Sequence, residues 1–124
     1  MFHDALVHPE TLALAPHAVM VAVGKRSGKH STAQRFINKQ LIDATKKYQT
    51  VVRLKGGDPM LFGRAQEEID ALVEARITLE IVPGVSAAFA ASAELQCSLT
   101  RRALSRSVVF ATSREAAGSK PNEW

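Results

Sequence analysis

The sequence predicts an α/β domain, a mostly parallel sheet with helices on its faces. Four short runs rich in apolar and β-branched residues recur near positions 19, 50, 78 and 107, each the length of a strand. Between them, apolar residues fall at helical spacing. Two of the runs stop abruptly at loops that feed a helix, Gly56-Gly57-Asp58-Pro59 and Pro83-Gly84-Val85-Ser86. Strands alternating with helices imply parallel pairing, and right-handed crossovers put every loop that follows a strand on one rim. Open α/β sheets bind their ligands there.

Residues 1–4 carry no cap and no preceding turn and read as a torn edge. A short helix is expected over residues 8–15, with Pro9 suited to its first turn and Pro16 ending it. Val19 to Val23 is continuously apolar, as in a strand buried on both faces. It runs into a basic, glycine-bracketed loop, Gly24-Lys25-Arg26-Ser27-Gly28-Lys29-His30. Ser31 and Gln34 have capping-box spacing, and Phe36, Ile37, Leu41 and Ile42 then share one side of a helix to about Tyr48. The next strand, residues 50–55, ends at Gly56-Gly57, where missing Cβ atoms permit positive φ and close approach, and Pro59 then fixes φ and removes a donor.

From about Arg64 a helix is expected to bury Ala65, Ile69, Leu72 and Val73 and to turn Glu67, Glu68, Asp70 and Glu74 to water. That acidic cluster reads as a solvated face near the positive end of the helix dipole, not as a catalytic carboxylate pair. A strand follows at residues 78–82. Ser86 is placed to cap an alanine-rich helix over residues 87–93, thin enough for close approach by a neighbour or a ligand. Residues 107–112 read as a further strand, and residues 118–124 have no periodicity.

The totals narrow the function classes. A chain of 124 residues suits one domain. No apolar run is long enough for a membrane span, and one cysteine, Cys97, fits a reducing, cytoplasmic setting. A net charge of +4 favours anionic partners without identifying one. There is no G-x-G-x-x-G and no P-loop, and the four histidines lack metal-ligand spacing. The basic clusters have no interleaved aromatics, so nucleic acid is not the expected partner. On geometry alone the Gly56-Gly57 loop is either an ordinary βα turn or a ligand site, and Lys25 and Arg26 are either a solvated loop or an anion site.

Four blocks go further. Val23-Gly24-Lys25-Arg26-Ser27-Gly28-Lys29-His30-Ser31, Val52-Arg53-Leu54-Lys55-Gly56-Gly57-Asp58-Pro59, Phe62-Gly63-Arg64 and Val82-Pro83-Gly84-Val85-Ser86-Ala87-Ala88 resemble, in order and spacing, the uroporphyrinogen-III C-methyltransferases of the tetrapyrrole methylase superfamily. The resemblance implies transfer of methyl groups from S-adenosylmethionine to uroporphyrinogen III, giving precorrin-2 on the way to sirohaem or cobalamin. It implies a cofactor cleft between two α/β domains and a homodimer. It matches Gly56, Gly57, Asp58 and Leu61 to one cofactor loop, and Ser86 and Ala87 to a second. Asp4 matches the proposed proton acceptor and Lys25 the proposed proton donor. Lys25, Arg26 and Lys29 offer charge-assisted contacts to the carboxylates of the tetrapyrrole substrate.

The ends depart from the family. Its first strand and glycine–proline loop have no counterpart here, nor does its second domain. Residues 1–124 are therefore expected to form a single partial domain, the N-terminal cofactor-binding one, with an unpaired sheet edge and no turnover in isolation. The alternative is an inactive module that only binds cofactor or anions, or associates with itself.

Overall fold

A computed structural model describes residues 1–23 and 30–112, without the side chains of residues 30–33. The chain divides into two compact units, Met1–Ala87 and Ala88–Trp124.

The first unit holds a three-stranded parallel sheet in the order β2-β1-β3, made of β1 (Phe2–His3), β2 (Val21–Ala22) and β3 (Arg53–Leu54). Phe2 lies opposite Val21 and Arg53, and His3 opposite Ala22 and Leu54. Residues 2–3, to which the sequence alone assigned no element, form the central strand. The Phe2 amide donates to the Val52 carbonyl at 2.8 Å, and the Val21 amide to the Met1 carbonyl at 2.9 Å. Two residues are too few to show alternation, so only the partners on either side define this strand. Conversely, residues 78–82 and 107–112 form no strand among the described residues. Strand propensity is a fit to neighbours, and among the described residues neither run is paired into the sheet.

Helix α1 (Pro9–Ala13) begins as expected, with the His8 Nδ1 accepting the Glu10 amide at 3.3 Å. Helices α2 (His30–Thr45) and α3 (Ala65–Glu74) pack against each other. On α2, Gln34, Ile37, Leu41 and Ala44 recur every three or four residues and face inward. Leu41 and Ala44 join Phe2 and Val23 as the buried core, with Val21, Ile37, Val51 and Leu72 packed against it. Phe36, one residue off this stripe, is exposed against expectation, and so is Val73 on α3. A helix advances about 100° per residue, so a neighbour in sequence leaves the buried face.

The second unit carries most of α4 (Ala87–Glu94). Phe89 and Phe110 meet there edge to face at 5.8 Å, and an antiparallel bridge joins Arg101 to Ser105. Helices α3 and α4 end alike. Arg76 and Gln96 adopt left-handed φ values of 58° and 53°. The next amides, Ile77 and Cys97, reach back to the carbonyls of Leu72 and Ser92 at 2.9 and 3.0 Å. These are Schellman closures without glycine.

Candidate functional site

Strands β1 and β3 point the same way, so the loops after them meet on one rim. β1 runs into Asp4, whose amide donates to the Leu54 carbonyl at 3.4 Å and whose carbonyl accepts the Val7 amide at 3.3 Å. β3 runs into Gly56 and Gly57. A Cβ on Gly56 would sit 3.5 Å from the Leu6 Cβ, so the two loops are in contact.

Gly57 has φ +72°, a conformation that L side chains rarely adopt. A Cβ there would point at the Val85 carbonyl oxygen, 3.7 Å away, and the Ala87 amide nitrogen, 3.8 Å away. Gly84 is closer still: its Cβ would collide with the Gly57 carbonyl, coming 3.2 Å from the carbonyl carbon. The Asp58 carboxylate ties both loops together, because one oxygen accepts the Met60 amide at 2.9 Å and the other the Gly84 amide at 3.0 Å. Ser86 is buried beside this junction, and Leu61, half-buried, donates its amide to the Asp58 carbonyl at 3.3 Å. Gly56, Gly57, Asp58, Leu61, Ser86 and Ala87 therefore form one cluster, and Asp4 lies on the neighbouring loop. Lys25, Arg26 and Lys29 lie outside the described residues.

Below the rim is a feature that helical spacing did not reveal. Glu68 was expected to face water, yet its side chain is only 6% exposed. One oxygen accepts from the Arg53 Nε at 3.2 Å and from the Gln34 side-chain Nε2 at 3.2 Å. The other faces the Lys55 Nζ at 3.0 Å, and Lys55 also donates to the Gly63 carbonyl. Arg53 reaches on through Nη2 to the Asp4 carboxylate. Two cations and two carboxylates balance, which is what makes burying them tolerable. The available signal was Arg53 and Lys55 themselves. Two charges two residues apart lie on one side of a strand, and in an otherwise apolar run they require opposite charge from the element that covers them.

Glu67, one residue earlier, does face water. Arg64 hydrogen-bonds it through Nε and Nη2, both at 2.6 Å. That bond lowers the Glu67 carboxyl below its ordinary value, against a smaller opposing effect of burial, and raises the Arg64 guanidinium. Among the described residues no group of His, Cys, Asp and Glu side chains could hold a metal ion, and no helix is long and apolar enough to cross a membrane.

What this rim can do is accept a ligand that needs close backbone approach. Its glycines bring two loops together where side chains would intrude, Asp58 ties those loops to each other, and a carboxylate on the next loop is held by an arginine.

A family model described as tetrapyrrole (corrin/porphyrin) methylases matches residues 2–123. Over 116 residues the chain is 47% identical to a uroporphyrinogen-III C-methyltransferase of Cyanidium caldarium, covering 93% of this chain and 46% of that one. Over 125 residues it is 46% identical to siroheme synthase 1 of Klebsiella pneumoniae, covering 100% of this chain and 26% of that one. A crystal structure of uroporphyrin-III C-methyltransferase from Thermus thermophilus superposes with a TM-score of 0.71 at 45% identity, covering 85% of this chain and 44% of the other. Another structure of the Thermus thermophilus enzyme, complexed with S-adenyl homocysteine, gives a TM-score of 0.64 at 40% identity and covers 83% and 42%. The chain spans between a quarter and a half of the curated relatives it matches.

Proposed function

This chain belongs to the tetrapyrrole (corrin/porphyrin) methylase family, and on that premise we propose that it serves S-adenosylmethionine-dependent C-methylation of uroporphyrinogen III to precorrin-2. The observation that carries the reading is the cradle at Gly57. Its left-handed backbone, the bare Cα of Gly84 and the Ser86-Ala87 turn lie within reach of one another, held by the two hydrogen bonds to Asp58. A Cβ on Gly57 would project between the two loops, toward the Val85 carbonyl and the Ala87 amide, and the bare backbone there fits a cofactor that needs close approach. The Thermus thermophilus enzyme is described with S-adenyl homocysteine bound.

In this reading Gly56, Gly57, Asp58, Leu61, Ser86 and Ala87 hold S-adenosylmethionine, which supplies an activated methyl group when bound. The protein needs no strong nucleophile, because the electron-rich pyrrole carbon attacks that methyl, so the chain contributes mainly by positioning. Methylation leaves a cationic ring that must lose a proton. Asp4 is the acceptor, and Arg53 holds its carboxylate in place. Lys25 is the proton donor, and Lys25, Arg26 and Lys29 bind the substrate carboxylates. The N-terminal cofactor-binding domain, a homodimeric assembly and a cytoplasmic location belong to the same reading.

Titration calorimetry with S-adenosylhomocysteine tests it on this chain directly. Binding that Gly57→Val abolishes, while Gly28→Ala leaves it intact, supports the cofactor site. Absence of binding by the folded chain sinks it. Turnover of uroporphyrinogen III by the chain alone would show that no further segment is needed.

A further inference from the structure

We propose that Glu68 is a positioning residue for the transfer site: through Arg53 it sets the Asp4 carboxylate, and through Lys55 it sets the turn that closes the cofactor loop. The inference deepens the proposed function and rests on its reading of Asp4 as proton acceptor and of residues 56–61 as cofactor loop.

Glu68 is placed to act only through other residues. Its side chain is buried, and both oxygens are occupied from within the first unit, Oε1 by Arg53 and Gln34 and Oε2 by Lys55. What it determines is where two cations lie. The Arg53 guanidinium is planar, and each of its three nitrogens is engaged. Nε donates to Glu68, Nη1 to the Leu54 carbonyl at 3.0 Å, and Nη2 to the Asp4 Oδ1. A plane fixed at two corners fixes the third. Glu68 and the β3 backbone together therefore dictate the place of the Asp4 Oδ1. The other Asp4 oxygen accepts no hydrogen bond among the described residues, and the side chain is partly exposed. That second oxygen is the one open to a proton from a ligand.

Lys55 carries the second arm. Its buried ammonium is shared between the Glu68 Oε2 and the Gly63 carbonyl. Gly63 belongs to a turn that needs holding. Phe62 and Arg64 flank it with left-handed φ values of 54° and 52°, a conformation that L residues keep only where the surroundings enforce it. A Cβ on Gly63 would come 2.9 Å from the Pro59 carbonyl oxygen, so the turn folds back directly on the cofactor loop. The Lys55 bond thus anchors the far end of the loop that begins at Gly56. A network kept for stability alone has no need of this pattern, because a buried ion network adds little over apolar packing. Here each cation makes its second contact on the rim, Arg53 at Asp4 and Lys55 at Gly63. One carboxylate fixes the proton acceptor and the cofactor loop relative to each other, and a misplacement of about 1 Å in such a site can cost about a hundredfold in rate.

The test compares the isotope-labelled chain with Glu68→Gln, which keeps the size and one acceptor oxygen but cannot balance two cations. Calorimetry reads the affinity for S-adenosylhomocysteine. The through-hydrogen-bond NMR correlation from the Arg53 guanidinium to the Asp4 carboxyl carbon reads the place of Asp4. Glu68→Gln is expected to weaken binding at least tenfold and to lose the correlation, while the amide spectrum remains that of a folded chain. Ile37→Ala, which lowers stability from the core, should change neither. Lys55→Met cuts the loop arm alone, so binding should weaken at least tenfold while the Arg53–Asp4 correlation stays. That variant carries the test if Glu68→Gln does not fold. Wild-type binding or an intact correlation in folded Glu68→Gln would overturn the proposal, as would unchanged binding by Lys55→Met. Equal losses in Ile37→Ala would also overturn it, because they mark a merely structural role. If the unaltered chain binds no S-adenosylhomocysteine, the cofactor reading itself fails and takes this inference with it.

Discussion

At the residue scale the structure concentrates its constraints at two places, Gly84 and Glu68. Gly84 cannot carry a side chain without striking the Gly57 carbonyl, and that carbonyl is backbone and cannot swing aside. Gly84→Ala should therefore cost about 1–3 kcal/mol in urea unfolding, and S-adenosylhomocysteine binding should weaken with it, because the Asp58 bond to the Gly84 amide moves. Glu68 is constrained by charge. Its removal leaves Arg53 and Lys55, 14% and 7% exposed, without their shared partner. Glu68→Ala is expected to destabilise by about 3–5 kcal/mol, read as a fall in the urea midpoint at unchanged slope. The glycine loops were legible because Gly and Pro mark turns by their own backbone chemistry. Glu68 was not, because its partners lie on a strand and a different helix, and the spacing of acids along one helix says nothing about what packs on it.

At the element scale the helices were read nearly to their ends and the strands were not. Helix α2 was legible because Ile37 and Leu41 repeat within a 16-residue element. β1 was invisible at two residues, and residues 78–82 were read as a strand for which the described fold has no partner. Caps and termini carry their own consequences. Arg76 closes α3 in the left-handed region, where an L residue pays about 1–2 kcal/mol. Glycine removes that strain but loosens the unfolded chain, so Arg76→Gly should raise stability by about 0.5–1 kcal/mol in thermal or urea unfolding. At the other end of α3, Arg64 holds the Glu67 carboxyl below its ordinary value of 4.5. A lowered folded value means that the pair stabilises the fold above about pH 4.5 and that this contribution is lost as pH falls through the lower folded value. Both side chains are near half exposed, so the effect is only a few tenths of a kcal/mol. Glu67→Gln should lower the urea midpoint slightly at pH 7, in low salt, and the two proteins should converge in acid.

At the scale of the whole molecule, the hydrophobic core is thin for the surface it must support. Among the described residues, four apolar side chains are buried, Phe2, Val23, Leu41 and Ala44, while Leu6, Leu14 and Val82 are 70% exposed or more. The sheet has open edges at β2 and β3, and an unpaired edge is a template for another chain. A net charge of +4 opposes association only weakly at physiological salt. Sedimentation velocity should therefore show a weight-average mass that exceeds 13.4 kDa and rises with concentration. S-adenosylhomocysteine, bound at the rim, is expected to leave that mass unchanged. A monomer at every concentration would mean that the edges are covered. The edge-association argument would then fail, even though the glycine rim could still bind its ligand.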